Sequence, residues 1–310
     1  MTDATPEIDG RTRHYGGFYG VDALPEDDGR PLAVLWGNCQ AEAIRQLLAA
    51  APSAPLRTVR IPPVHEIEAT DLPHLEGLVG QAQVLFAQPV ADGYRGMPLG
   101  CDEVATLLPE GGELIRWPVL FDAAVYPFQV LVRQPDAGDP PMVPYHDLRT
   151  LIEAATGTRP ATPTDPEPYR VLAQLSQEAL VKREEANDTL RVSDALDDRS
   201  GGQFHTINHP GNPILMCTAQ RMQEAVGGVA DVVEPDRVLL RSVLTPHEPE
   251  VFDALGLEPE DGREQWLLDG KEVSDDEVRA AHLEFYRQYP GFVEQGLTRH
   301  ARTIEILGLA

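Results

Sequence analysis

The stretch VLWGNCQAEAIRQLL, residues 34–48, decides the reading of the fold. Leu32–Trp36 is an uninterrupted apolar run and reads as a buried strand. It stops at Gly37-Asn38-Cys39-Gln40. A helical period begins at once, with Ile44, Leu47, Leu48 and Ala51 on one face of a helix predicted from Ala41 to Ala50. Working outward, Leu56–Ile61, Val84–Ala87 (ending at Gln88-Pro89) and Leu114–Trp117 (ending at Pro118) read as three more strands. The segments between them are long enough for crossovers. This rhythm predicts an α/β fold with a mostly parallel sheet and flanking helices.

The rest of the chain divides by composition. Residues 1–30, rich in Gly, Asp and Pro, read as a flexible N-terminal arm. Residues 31–235 read as the α/β catalytic core, with a helical insertion around 146–196 that contains a short helix at His146–Ala155. Its charged part, from Tyr169 to Leu196, reads first as a solvated helix face. Asn212-Pro213 carries a helix-start signature for Ile214–Val226. Residues 236–310 read as a helical C-terminal extension, in which Ser274 and Glu277 form a capping box ahead of a helix running to Tyr289.

Composition excludes several partners. The 310 residues carry a formal charge of −25, and such a surface repels nucleic acid and anionic membrane. No apolar run reaches the ~18–20 residues of a membrane span. The polar N-terminus lacks the apolar core of a signal peptide. Three cysteines, Cys39, Cys101 and Cys217, without CxxC spacing, point to a reducing, cytoplasmic setting and to no metal site.

Cys39 stands on the sharp strand-to-helix turn, an arrangement that recurs for nucleophiles. Backbone N–H groups at a helix start, with the helix dipole, lower a thiol's pKa and stabilise an oxyanion. Gly37 permits close backbone approach, and Asn38 and Gln40 bring amides that can donate to developing charge. The plain alternative is a small buried cysteine behind an Asn cap. The segment Phe204-His205-Thr206-Ile207-Asn208-His209-Pro210 supplies a base: His209, with His205 as the spare. Cys101 and Cys217, lacking polar neighbours in sequence, read as structural.

Taken together, Gly37-Asn38-Cys39-Gln40, Gln88-Pro89-Val90 with Tyr94, Trp117–Phe121 with Tyr126-Pro127, and Phe204–Pro210 resemble the WcbI family of polysaccharide biosynthesis proteins. Arg183-Glu184 and Val192-Ser193-Asp194 fall where that family carries similar residues. The resemblance runs from about residue 31 to about 225. It implies an SGNH-hydrolase-like core, coenzyme A or acetyl-CoA as co-substrate, and O-acyl (acetyl) transfer to a sugar in capsular or exopolysaccharide biosynthesis. By the same resemblance Cys39 and His209 are catalytic. Asn38, Gln40, Gln88 and Asn208 form the polar surround. Gly37, Tyr94, Arg95, Phe121, Tyr126, Arg183, His205 and Thr206 line a pocket. Arg95, Arg116, Arg133 and Arg183 are candidates for the phosphates. An SGNH hydrolase carries Asp three residues before its histidine, and Thr206 stands there instead; a hydroxyl cannot stabilise imidazolium as a carboxylate does, so a Cys–His dyad is expected. Two other classes stay open: a non-catalytic CoA, nucleotide or glycan binder, and a thiol esterase acting on acylated carbohydrate. The expected partners are a small acyl donor and a carbohydrate acceptor. Homo-oligomerisation is left open.

Overall fold

The structure is a computed structural model that describes residues 9–134, 137–259 and 261–309. The chain forms two compact units, each with its own hydrophobic core. The first comprises the described part of Met1–Val119 with Arg183–Val192 and Leu215–Arg237; the second comprises Leu120–Lys182, Ser193–Ile214 and Val238–Ala310.

In the first unit, two short helices, α1 (Gly10–His14) and α2 (Gly16–Tyr19), open the described chain. A loose arm was expected over 1–30; residues 1–8 lie outside the described residues, and helices stand within 9–30. Phe18 is buried in the core, and the Arg11 guanidinium reaches the Asp71 carboxylate at 2.7 Å. The buried Asp71 also accepts from the Tyr19 hydroxyl at 2.9 Å, which pins the segment down.

Strand β1 (Leu32–Trp36) is buried at all five positions, as a strand covered on both faces must be. Helix α3 (Cys39–Ala50) buries Ile44, Leu47 and Leu48, each worth roughly 1.5–3 kcal/mol against exposure. Strand β2 is only Arg57–Thr58, shorter than the expected Leu56–Ile61, whose remaining residues run as irregular chain. Helix α4 (Leu72–Val79), β3 (Val84–Ala87), α5 (Cys101–Ala105) and β4 (Glu113–Arg116) follow. The four strands pair in parallel in the order β2-β1-β3-β4. The chain therefore leaves β1 toward one edge and returns on its other side at β3. That reversal is a topological switch point, where a crevice opens at the carboxyl ends of the strands. The two strand ends that meet there are Trp36-Gly37-Asn38-Cys39 and Ala87-Gln88.

The second unit begins with a two-stranded antiparallel pair, β5 (Gln129–Val130) and β6 (His146–Asp147). The helix expected over His146–Ala155 is preceded by that strand and spans Leu148–Thr156 (α6). Asp147 caps it, accepting from the N–H groups of Arg149 and Thr150. Helix α7 (Glu167–Asn187) is shorter than the charged run that predicts it, which ends in a separate turn at Ser193–Leu196. The motif Phe204–Pro210, read as a loop, is a hairpin: β7 (Phe204–Thr206) pairs antiparallel with β8 (His209–Pro210). Gly211 closes it, because a Cβ there would lie 2.0 Å from the Gly202 carbonyl oxygen. Helix α8 (Asn212–Ala225) then carries the chain onward.

The C-terminal region is helical, in α9 (Pro249–Leu255), and in α10 (Asp275–Gln288), α11 (Pro290–Arg299) and α12 (Ala301–Leu307) farther on. The capping box at Ser274 and Glu277 is formed. It also holds an antiparallel three-stranded sheet that the sequence did not announce, built from β9 (Val243–Leu244), β10 (Trp266–Leu268) and β11 (Lys271–Val273). These strands have three residues or fewer, too short to show an alternating pattern.

Candidate functional site

At the switch point the turn is held by amides. The Gln88 backbone N–H donates to the Trp36 carbonyl at 2.8 Å, which places its side chain under Gly37. Gln88 Oε1 accepts from the Asn38 N–H at 2.9 Å, and Gln88 Nε2 donates to Gln40 Oε1 at 2.9 Å. Both glutamines are buried. A Cβ on Gly37 would lie 2.5 Å from Gln88 Oε1, so only glycine admits this packing. The sequence offered Asn38 and Gln40 as donors to developing charge, with Gln88 in the polar surround. In the structure the Gln88 amide is committed to building the turn, because a buried amide must satisfy its own hydrogen bonds. Asn38 caps α3, its Oδ1 accepting from the Gln40 N–H at 2.9 Å.

Cys39 is the first residue of α3 and is half-buried. The backbone N–H groups of Cys39 and Gln40 face its sulfur and favour the thiolate, but burial outweighs them, and the nearby Glu66 charge adds to it. The thiol is therefore pushed up, opposite to the direction expected from a helix start alone. A cavity of about 190 Å³ opens on Cys39, with Tyr15, Glu42, Arg45, Arg60 and Glu66 in its wall. Glu42 pairs with Arg45 at 2.6 Å and with Arg60 at 3.4 Å, giving two guanidiniums for one carboxylate. Arg60 also lies over the Tyr15 ring. The sequence did not flag these wall residues. Tyr15 sits in the supposed arm, and Arg60 and Glu66 come in because Val64 N–H donates to the Gly37 carbonyl at 2.8 Å.

The other expected residues of this unit have defined employment. Arg95 donates to the carbonyls of His65 and Ile67, and Arg116 pairs with Asp102. Tyr94 is half-buried against the core, and Arg183 is half-buried. Cys101 is buried in the core, and Cys217 is half-buried on α8.

His209 belongs to the second unit. The Thr206 hydroxyl oxygen accepts from the backbone N–H groups of Asn208, at 3.4 Å, and His209, at 3.1 Å. Thr206 therefore shapes the turn that carries His209. The Tyr145 hydroxyl donates to Asn208 Oδ1 at 2.7 Å, and its ring meets the His209 ring edge-to-face at 6.2 Å. Gln129 Oε1 accepts from the Ile207 N–H at 2.9 Å. Tyr145 and Gln129 carried no signal in sequence; antiparallel pairing and the hairpin bring them in. Burial holds the His209 imidazole down to about 4, so it is neutral near neutral pH. His205 is buried on β7 and is likewise held at about 4, by burial and then by the Arg263 charge. Tyr126 is buried and donates to the Phe204 carbonyl at 3.1 Å. Phe121 is half-buried and Arg133 is exposed.

A protein-family model for the polysaccharide biosynthesis enzyme WcbI matches residues 32–230, well over half of the chain. The chain belongs to the WcbI family. Among solved structures, one described as WcbI, a novel polysaccharide biosynthesis enzyme, in a native form without a disulfide bond between CoA and one of its cysteines, is similar in fold. The TM-score is 0.75 at 17% identity over 90% of this chain and 98% of that one. No curated protein matches. The WcbI match confirms the α/β architecture with its parallel sheet and helical C-terminal region. Among the described residues no helix is long and apolar enough to cross a membrane, and no group of three or more His, Cys, Asp or Glu side chains is placed to hold a metal ion.

Proposed function

We propose that this WcbI-family protein binds coenzyme A beside Cys39 and transfers an acyl group, acetyl in the simplest case, from the thioester to a carbohydrate hydroxyl. The observation that carries the reading is the position of Cys39: first residue of a helix, at the switch point of a parallel sheet, with a cavity at its sulfur. Two backbone N–H groups face that sulfur, a setting in which an oxyanion is stabilised. The similar WcbI structure, described by reference to a disulfide between CoA and one of its cysteines, supports bringing the CoA thiol to the same turn here.

In the covalent route, Cys39 sulfur attacks the thioester carbonyl, the C–S bond to CoA breaks, and the departing CoA sulfur takes the thiol proton. The sugar oxygen then attacks the acyl-cysteine and restores the thiol. His209 is proposed as the base that moves these protons; its pairing with Cys39 rests on the chemistry of each residue, which lie in different units. A thiol pushed up by burial and an imidazole held at about 4 do not form an ion pair at rest. Proton transfer is therefore concerted with attack.

Calorimetric titration with CoA and acetyl-CoA tests the reading. Binding near micromolar Kd, about −8 kcal/mol, is expected in wild type and in Cys39→Ala alike. Transfer to a sugar, and an acetylated protein seen by mass spectrometry, are expected in wild type only. Absence of CoA binding to wild type overturns the transferase reading; unimpaired transfer by Cys39→Ala overturns the covalent route.

A further inference from the structure

The second unit contains a cavity of about 260 Å³ that the Cys39 chemistry does not use. Its wall adjoins the hairpin that carries His209. Tyr145 lines it and touches both Asn208 and the His209 ring. Thr245 lines it and is hydrogen-bonded through its N–H to the His205 carbonyl at 3.1 Å. We propose that this cavity is a binding subsite for one neutral sugar ring, the hydroxyl-bearing acceptor of the reaction proposed above, on which the word acceptor rests.

Three features of the wall select that ligand class. The first is charge: every arginine of the wall is paired, and Glu264 adds one more, exposed carboxylate. Each arginine in the wall already has a carboxylate partner: Arg149 with Asp147 at 2.6 Å and Glu248 at 2.5 Å, Arg159 with Asp275 at 3.4 Å, and Arg279 with Glu153. The wall histidines His146, His247 and His282 are buried and neutral, the first held at about 3 and the second at about 4. No cation is left over for a phosphate or a carboxylate, so an anionic ligand gains little here and loses its hydration. The second is the density of fixed donors and acceptors. Among the wall side chains, His146 Nε2 and His247 Nδ1 are buried without a hydrogen-bond partner, and such atoms are positions that ligand hydroxyls can satisfy. The third is the aromatic surface. Trp266 and Tyr145, both buried, stand in the wall and give the C–H groups of a sugar aromatic edges to meet; the Trp266 Nε1–H is bound to Asp275 at 3.2 Å. The volume falls below the ~300–1,000 Å³ of drug-sized sites, which suits one ring rather than a chain.

The test uses wild-type protein and methyl glucopyranoside, galactopyranoside and mannopyranoside as probes, with glucuronate as the anionic comparison, observed through the tryptophan indole N–H signals in heteronuclear NMR. Trp36 and Trp117 are fully buried in the first unit, so the Trp266 signal reports on this cavity alone. At least one neutral glycoside is expected to move the Trp266 signal with a Kd of order millimolar, about −4 kcal/mol. Glu248→Gln should weaken it about tenfold by unbalancing the Arg149 pair, with CoA titration unchanged. No shift with any of the three neutral glycosides overturns the proposal. Tighter binding of glucuronate does the same, and so does a shift of the Trp266 signal by CoA, which would give the cavity to the donor. Glycoside binding in a protein that does not bind CoA leaves the sugar subsite standing while the donor reading fails.

Discussion

Replacing Gly37 by alanine probes the turn that presents Cys39. The new Cβ would lie 2.5 Å from Gln88 Oε1, 2.8 Å from its Cδ and 3.0 Å from its Cγ, and these are its nearest neighbours. The backbone at Gly37 is outside the left-handed region, so alanine is not strained by conformation. The cost therefore comes from displacing Gln88, which surrenders the Asn38 N–H bond and the Gln40 bond in a buried setting. Two hydrogen bonds broken at this turn, one buried and one half-buried, at roughly 1–3 kcal/mol each, give a destabilisation of about 2–6 kcal/mol. In a Gln88→Ala background those bonds are already lost and the offending atoms are gone. There Gly37→Ala should be near neutral, or stabilising by about 0.4–1 kcal/mol through the unfolded chain. Urea unfolding followed by the fluorescence of Trp36 and Trp117, both fully buried in the first unit, measures all four corners of the cycle. Equal cost of Gly37→Ala in both backgrounds, within about 0.5 kcal/mol, would refute the reasoning.

Histidine burial sets a direction for pH. His205, His209 and His247 are held at about 4 and His146 at about 3, so between those values and the ordinary histidine value of about 6.5 the unfolded chain binds more protons than the folded one. Their contribution is fully present above that upper value and is lost as pH falls toward 4, by up to about 1.4 kcal/mol per pH unit for each group. A His209→Gln variant should show a shallower acid slope in urea titrations, and an unchanged slope would contradict the burial argument. Cys39 should react slowly with iodoacetamide near neutral pH, with a rate still rising past the ordinary thiol range, and Glu66→Gln should speed it by removing the charge that opposes the thiolate. A rate that levels off near neutral pH would show an activated thiolate instead. Thr206→Val should cost about 1–3 kcal/mol, because the N–H groups of Asn208 and His209 lose their acceptor. If His209 is the base, kcat should fall by more than KM rises, and unaltered kcat would remove the link between the turn and the chemistry.

Elements that depend on near neighbours were legible. β1 and β3 were bounded to the residue because an unbroken apolar run must be covered on both faces. The end of α3 at Ala50 and the capping box at Ser274 follow from local periodicity and side-chain reach. Cys39 was read in the turn ahead of a helix from Ala41, and the Asn38 cap starts the helix two residues earlier, at Cys39 itself. Short strands were poorly legible: β2 was read but at three times its length, and β9, β10 and β11, with three residues or fewer, were not read at all, because no period can declare itself. The N-terminal helices were missed because what secures them, the Arg11–Asp71 pair and the burial of Phe18, spans some fifty residues or more of sequence.

The sequence by itself determined that a strand would end in Gly-Asn-Cys-Gln and a helix would begin there, because hydrophobic period and turn chemistry act over a few residues. Tertiary structure decided what those side chains do. Parallel pairing of β1 with β3 put Gln88 beneath Gly37 and engaged its amide in holding the turn. Burial, a property of the whole packed unit, pushed the thiol up against the local pull of the helix start. The hairpin made the Thr206 hydroxyl an acceptor for the His209 backbone N–H. Desolvation and long-range contact sum over neighbours distant in sequence, and only the fold names those neighbours.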